Sequence, residues 1–424
     1  MATSYAGTQR KRLAIVGVTA IVVVAGVTGV VLFNQSSSVS SPGAVFRPPT
    51  NTVPKLGPPP SVSNPAVVTG LVHTCVLKSD SRVQCWGSND SGQLGNGTNT
   101  DSNVPVGISV STNSAFSIAA GEEYTCMLLQ DAMVQCWGDN TFGQLGNGTN
   151  NNKSNVPVSV TGLTGATAIA AGSDHTCALM SGGTVQCWGT NVYGQLGNGS
   201  STGPEVCIYR TACSNVPVTV TGLTSVTAIA AGSDDTCALL SDATVQCWGG
   251  NKYGQLGSGS TANSIVPVTV RGLTGVTAIA ADSDDTCALL SDATVQCWGY
   301  NGRGELGNGS TTDSNVPVAV SGLNGATAIA PGGLHTCAVI SGGTVQCWGD
   351  NTYGGLGNGT TNSSNVPVSV TGLTGATAIA AGYGYHTCAF LSSGTVQCWG
   401  YNFQGQLGNG TNTSSYSPVS VTGL

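Results

Sequence analysis

The sequence predicts an all-β fold, a seven-bladed β-propeller, and three observations carry that prediction. A phrase whose plainest form is Thr-Cys-Ala-Leu-Leu-Ser-Asp-Ala-Thr-Val-Gln-Cys-Trp-Gly occurs seven times, with its tryptophan at Trp86, Trp137, Trp188, Trp248, Trp298, Trp348 and Trp399. A second phrase, Gly-Gln-Leu-Gly-Asn-Gly or nearly so, follows each Trp-Gly, and Val-Pro-Val-x-Val follows most of those. The copies recur every 50 residues or so, and self-similarity at a fixed period of that length marks a propeller or a solenoid. A solenoid needs polar capping repeats, and here the end units are as regular as the rest.

Ahead of the repeats, residues 1–12 end in Arg10-Lys11-Arg12, and the run 13–33 that follows holds no charged residue. Twenty-one residues at a helical rise of 1.5 Å span about 30 Å, the hydrocarbon thickness of a bilayer. No basic residue follows until Arg47. The positive-inside rule then keeps 1–12 in the cytoplasm, makes 13–33 a transmembrane signal-anchor and sends the rest across. A cleaved signal peptide, which would leave a secreted protein, is the rival; its apolar region usually runs 7–15 residues and ends in a small-x-small site. This run is longer and has no Ala-x-Ala at its end. Residues 34–65 are rich in Ser and Pro and read as a disordered stalk.

The ring occupies 66–424, and its third unit shows the elements in order. Apolar runs at 156–160, 167–171, 176–180 and 184–188 are separated by Gly162, Gly172 and Ser181-Gly182-Gly183. Runs of four to six residues, rich in Val, Ile and Thr and closed by Gly, Asn and Ser, read as strands. None reaches helical length. Four strands per unit and seven units make a ring that protects its sheet edges by radial repetition. The Gly-Gln-Leu-Gly-Asn-Gly phrase is read as a turn: no Lys-Ser/Thr follows to make it a phosphate loop. Its Asn-Gly pairs suit positive-φ positions. The Asn-Gly-Ser/Thr triplets also match a glycosylation sequon, but turn chemistry explains them first.

In most units a His-Thr precedes the second strand, a Trp-Gly ends the third, and the Gly-Gln-Leu-Gly turn comes after it. In this the chain resembles the regulator of chromosome condensation repeat family, in an exported cysteine-rich variety. WD40 blades are shorter and carry Trp-Asp where this chain has Trp-Gly. The resemblance covers the whole ring and implies the fold; function must still be argued from a site.

Fourteen of the sixteen cysteines form seven pairs at one spacing: Cys75 with Cys85, Cys126 with Cys136, Cys177 with Cys187, Cys237 with Cys247, Cys287 with Cys297, Cys337 with Cys347 and Cys388 with Cys398. Each pair flanks the expected hairpin turn at equal distance, so its members face each other on adjacent strands, where Cβ atoms approach disulfide separation. A zinc site wants four ligands, and one pair per blade offers two. Cys207 and Cys213 sit in the one sizeable insertion, 201–213, and pair with each other. A fully paired set argues for an oxidising, extracytoplasmic compartment. The expected location is therefore the cell membrane, with the propeller outside the cytoplasm.

Only 7% of residues are charged, and setting aside Arg10, Lys11 and Arg12 leaves nine Lys/Arg against nineteen Asp/Glu, a net of −10. Nucleic-acid binding needs a basic stripe, so this ring is not a candidate. The loop before the Thr-Cys strand carries Glu122-Glu123, Asp174, Asp234-Asp235, and Asp282, Asp284 and Asp285 in successive units. These should form an arc on one face: a solvated rim, a docking patch for a basic partner, or, less well, a cation site, since no calcium-loop spacing occurs. The four histidines, His73, His175, His335 and His386, share one repeat position. They are read as structural, tying the start of the strand to a neighbouring backbone group. No serine sits in a nucleophile elbow. We therefore expect no catalytic residue, no cofactor and no metal.

The leading reading is a non-enzymatic protein-binding scaffold for an unidentified protein partner, anchored to the membrane by its N-terminal helix. Specificity needs a break in the ring's symmetry, and the 201–213 loop supplies one with Glu205, Ile208, Tyr209 and Arg210. A pinned loop is pre-ordered, and Tyr and Arg anchor hot spots. With Asp234, Asp235, Asp282, Asp284 and Asp285 these are the candidate partner contacts. Two alternatives come from the resemblance: a guanine-nucleotide exchange factor acting on a small GTPase, and a protein inhibitor resembling the secreted propellers that hold β-lactamases against one face. A structural envelope protein is the third.

Overall fold

The computed structural model describes residues 66–424 apart from 110–113, 151, 203–204 and 208–210; of the first 65 residues it describes only a two-residue strand, Val23–Val24, alongside the first strand of the fifth sheet. The expectations for 1–12, 13–33 and 34–65 otherwise lie outside the described residues. Among the described residues there is no helix, and so none long and apolar enough to cross a membrane.

From residue 66 the chain makes seven antiparallel sheets in succession, each built from consecutive strands. Blade one is Ala66–Thr69, His73–Leu77, Val83–Gly87 and Ser102–Gly107. Blade two is Ala115–Ala120, Tyr124–Leu129, Val134–Gly138 and Ser154–Ser159. Blade three is Ala166–Ala171, His175–Met180, Val185–Thr190 and Ala212–Thr219. Blade four is Val226–Ala231, Asp235–Leu240, Val245–Gly249 and Ser264–Thr269. Blade five is Val276–Asp282, Asp285–Leu290, Val295–Gly299 and Ser314–Ala319. Blade six is Ala326–Pro331, His335–Ile340, Thr344–Gly349 and Ser364–Ser369. Blade seven is Ala376–Ala381, His386–Leu391, Val396–Gly400 and Ser415–Ser420. The strands expected from the third unit lie within a residue or two of those observed. The expected all-β ring over 66–424 is the fold.

First strands line the central axis. Thr69, Ala120, Ala171, Ala231, Ala281, Pro331 and Ala381 take one equivalent position around a narrow cavity of about 60 Å3. Small side chains are needed there because seven strands converge. The ladder between third and fourth strands shifts register at the tryptophan in every blade. Such a bulge re-aims a side chain, and here the indole packs against the preceding blade. Trp137 joins the core of blade one with Cys75, Cys85 and Leu94, and Trp248 that of blade three with Cys177, Cys187 and Leu196. A fully buried Trp removes roughly 200 Å2 from water, an upper bound of about 5 kcal/mol per blade junction.

Each indole also donates a hydrogen bond, from Nε1 to the backbone carbonyl in the middle of the preceding blade's Gly-x-Leu-Gly turn, at 2.6–2.9 Å. The threonine of the Thr-Cys strand donates to that same carbonyl at 2.9–3.2 Å. Gly95 shows why the turn is glycine: its φ is +65°, and a Cβ there would meet the Trp137 indole at 2.6 Å. The ring closes by the same contacts, Trp86 and Thr74 of blade one reaching the Gln406 carbonyl of blade seven. Among the described residues no strand is exchanged between the ends.

All eight expected disulfides are present. Seven lie within blades: Cys75 is bonded to Cys85, Cys126 to Cys136, Cys177 to Cys187, Cys237 to Cys247, Cys287 to Cys297, Cys337 to Cys347 and Cys388 to Cys398. Each joins directly opposed residues of the second and third strands, with Cα atoms 4.0–4.1 Å apart. The insertion adds a short strand, Glu205–Val206, paired with Ala212 and Cys213 and pinned by the eighth bridge, from Cys207 to Cys213.

Candidate protein-binding face

Strand direction alternates, so the loops joining first to second strands and those joining third to fourth strands share one face of the ring. The acidic loops, the Gly-Gln-Leu-Gly loops and the 201–213 insertion all lie on it. Within each third-to-fourth loop a fully buried asparagine holds the turn. Its Oδ1 accepts from the backbone N–H of the turn's leucine at 2.8–3.1 Å, from Asn89–Leu94 through Asn402–Leu407. The sequence reading passed over this residue, although an Asn three positions after every Trp was visible. These rigid loops present their tips as a platform.

The tips carry aromatic side chains. Tyr193 and Phe403 are 43% and 60% exposed. Tyr253 and Tyr300 meet edge to face with centroids 5.0 Å apart, and Tyr353, Tyr401 and Phe403 form a chain at 5.0 and 4.7 Å. The row runs from blade three to blade seven.

Nearer the axis stand the carboxylates. Burial, together with Glu122, Asp139 and Asp234, pushes Asp174 up to about 7. Burial, Asp284 and Glu122 push Asp234 up to about 6. Burial and Glu123 raise Glu122, and burial raises Asp284 against the opposing pull of Lys252. Asp174 feels Glu122 and Asp234, and Asp234 feels Asp284, each on an adjacent blade. Cations on this face are few: Lys252 lies over the Tyr253 ring at 4.6 Å, Arg303 pairs with Asp350 at 3.3 Å, and Lys153 reaches Asp139 at 4.0 Å.

The candidate contacts divide. Asp234 and Asp284 are partly exposed on the arc. Asp235, Asp282 and Asp285 are buried, which takes them off the contact surface. Asp235 and Asp285 occupy the position that holds histidine in blades one, three, six and seven. Glu205 lies in the short strand of the insertion, while Ile208, Tyr209 and Arg210 lie outside the described residues.

The histidines tie blades together through a side chain, where a backbone partner was expected. His73, His175, His335 and His386 each place Nε2 2.7–2.9 Å from the threonine hydroxyl of the next blade. That hydroxyl already donates to the turn carbonyl, so the imidazole Nε2–H is the donor. Burial holds His175 and His335 down to about 4, and His73 and His386 to about 3. They stay neutral at ordinary pH. Among the described residues, no group of three or more His, Cys, Asp or Glu stands in metal-holding geometry.

The pattern of the regulator of chromosome condensation (RCC1) repeat matches seven successive segments, 80–128, 133–179, 182–239, 242–289, 292–339, 342–390 and 393–424. The chain belongs to this family. Among curated relatives, the ultraviolet-B receptor UVR8 of Arabidopsis thaliana is 32% identical over 197 residues, 46% of this chain and 43% of that protein. The probable E3 ubiquitin-protein ligase HERC4 of Homo sapiens is 35% identical over 204 residues, 46% of this chain and 18% of that protein. The chain thus spans less than half the length of these relatives. Among solved structures, Prp20p of Saccharomyces cerevisiae superposes with a TM-score of 0.69 at 21% identity, covering 84% of this chain and 87% of that one. Human WBSCR16 gives 0.71 at 25% identity, covering 81% and 94%. The likeness to Prp20p establishes the RCC1-type ring and nothing finer.

Proposed function

We propose that this RCC1-type ring is a non-enzymatic docking module, displayed outside the cytoplasm on a membrane-anchored stalk, and that its loop face holds a basic protein partner. One observation carries the reading: exposed aromatics and a contiguous carboxylate arc share a rigid platform. Aromatic side chains supply contact area at low entropic cost and stack on cations, and acidic groups steer a basic partner. Protein binding is in keeping with two solved relatives: the Prp20p structure is described with binding to Gsp1p and histones, and yeast RCC1 was solved bound to Kap60. Eight disulfides support an oxidising compartment.

The test takes a partner captured from the native envelope and measures its affinity for the full chain and three variants. Tyr353→Ala with Phe403→Ala, and Asp174→Asn with Asp234→Asn, should each weaken binding tenfold or more, the second pair most at low salt. Tyr209→Ala with Arg210→Ala reports on the insertion. Loss confined to that last pair would move the site outward to the insertion and refute the platform; no loss in any would refute the face. Thiol-alkylation of the chain in intact cells, with no reaction before reduction, checks the compartment.

A further inference from the structure

The chain holds eight Asn-Gly pairs, and six of them close the Gly-x-Leu-Gly-Asn-Gly phrase, at Asn96, Asn147, Asn198, Asn308, Asn358 and Asn409. The other two are Asn301-Gly302 and Asn324-Gly325. In such a pair the glycine nitrogen can attack the side-chain amide before it, because no Cβ shields that nitrogen. Asparagine is thermolabile for this reason. Whether a given pair reacts depends on what already holds the two reacting groups.

In the six turn pairs both groups are held. The glycine N–H donates to a fourth-strand carbonyl of the next blade at 2.8–3.0 Å, from Gly97 to Asn155 through Gly410 to Asn103. The asparagine Oδ1 accepts from the backbone N–H two residues on at 3.0–3.2 Å. Asn301 is fully buried, its Oδ1 accepting from the Leu306 N–H and its Nδ2 donating to the Thr312 carbonyl, both at 2.9 Å.

Asn324 is different. It lies in the passage from blade five to blade six, where the passages out of blades two, three, four and six carry Thr164, Thr224, Thr274 and Thr374. Its side chain is exposed. Among the described residues, neither its amide nor the Gly325 N–H makes a hydrogen bond. The chain on either side is fixed. Leu323 is 3% exposed in the core that runs through blades four to six. The Gly325 carbonyl accepts from the Ser341 N–H at 2.8 Å, and the Ala326 N–H donates to the Ala293 carbonyl at 3.0 Å.

We infer that Asn324-Gly325 is a self-modification site, deamidating without an enzyme ahead of every other Asn-Gly pair and loosening the junction between blades five and six. Solvent base takes the Gly325 N–H proton as the nitrogen bonds to Cγ of Asn324. The Cγ–Nδ2 bond then breaks, and the side-chain nitrogen leaves as ammonia with that proton made good from solvent. Water opens the resulting cyclic imide. Cleavage at Cγ leaves an aspartate, and cleavage at the main-chain carbonyl leaves an isoaspartate. Either product adds a negative charge, and nothing is oxidised or reduced. The isoaspartate also adds one carbon to the main chain. That carbon has to be absorbed between Leu323, set in the core, and Gly325, bonded to Ser341.

The test ages the full oxidised chain in mildly alkaline buffer and follows each pair by peptide mapping with mass spectrometry and an isoaspartyl methyltransferase label. Asn324 should convert about tenfold faster or more than any turn pair, since each of those must first release two hydrogen bonds. In a reduced, urea-unfolded sample the advantage should vanish, because all eight pairs are then free. Asn324→Thr installs the residue of the other passages and should fold with an unchanged melting temperature when fresh. After ageing, wild type should melt below this variant. Turn pairs converting as fast as Asn324 in the folded chain, or an Asn324 advantage that survives unfolding, would overturn the site. Equal melting of the aged samples would overturn its effect on the junction.

Discussion

Thr236 serves two neighbours at once, accepting from His175 Nε2 at 2.9 Å and donating to the Gln195 carbonyl at 3.1 Å. Thr286, one blade on, makes only the second kind of bond, to the Gln255 carbonyl at 3.2 Å. Thr236→Val leaves a buried imidazole donor stranded and should cost about 2–3 kcal/mol in chemical denaturation, whereas Thr286→Val should cost about 1. Equal costs would remove the histidine link from the energetics. Asp174 offers a second check. Its folded pKa, about 7, lies above the unfolded value, so the folded state holds the extra proton between roughly pH 4 and 7. Stability contributed by that proton is present at low pH and is lost as pH rises through 7. The four histidines, neutral when folded and about half protonated when unfolded at pH 6.5, contribute stability that grows over the same range. From pH 6.5 to 8 the melting temperature of the wild type should therefore rise less, or fall more, than that of Asp174→Asn, in which Glu122, Asp139 and Asp234 face a neutral amide.

At the scale of the blade the disulfides make the sharpest comparison. Each within-blade bridge closes a loop with a sequence separation of 10, worth about 2–3 kcal/mol in the chain-entropy model. Cys177→Ala with Cys187→Ala should therefore lower stability by about that much while leaving the ring assembled, measured by denaturant unfolding and far-ultraviolet circular dichroism. A loss of assembly would mean that the bridges hold blades to one another, which their placement between adjacent strands of one sheet argues against. These strands and bridges were legible in the sequence, because runs of four to six residues closed by glycine admit little else and opposed cysteines share a face. The junctions were not. Trp188 donates to a backbone carbonyl, that of Gln144, 44 residues upstream, and nothing in a side-chain pattern marks a carbonyl as an acceptor. The acidic arc was legible as an arc, but the burial of Asp235, Asp282 and Asp285 was not, since that depends on which side of the strand start each faces.

For the whole molecule the question is what makes seven blades one body. Blade one is built entirely from the first copy and blade seven entirely from the last, so closure rests on side chains: Trp86 in the core formed by Cys388, Cys398 and Leu407, and Thr74 joined to His386 and the Gln406 carbonyl. The Trp and Thr bonds to the turn carbonyl recur at the other six junctions, and the histidine link recurs at three of them. The closure thus uses no kind of contact that the ring lacks elsewhere, and the covalent order of the blades should be interchangeable. Blades two, three, four and six pass to the next through Leu-Thr-Gly or Leu-Thr-Ser, as at Leu163-Thr164-Gly165 before Ala166. Ala66 is the equivalent of Ala168 in blade three, which residues 164–167 separate from Leu163, so a Thr-Gly-Ala-Thr tetrapeptide joining Leu424 to Ala66 rebuilds the missing connection. A circular permutant of 66–424 joined in this way and opened between the exposed Thr274 and Gly275 should fold with all eight disulfides. Loop tips of this sort tolerate new termini. It should melt cooperatively within a few degrees of the unpermuted ring. A permutant that opened blade by blade, or that failed to oxidise fully, would show that the natural closure between blades seven and one carries stability which the other junctions lack.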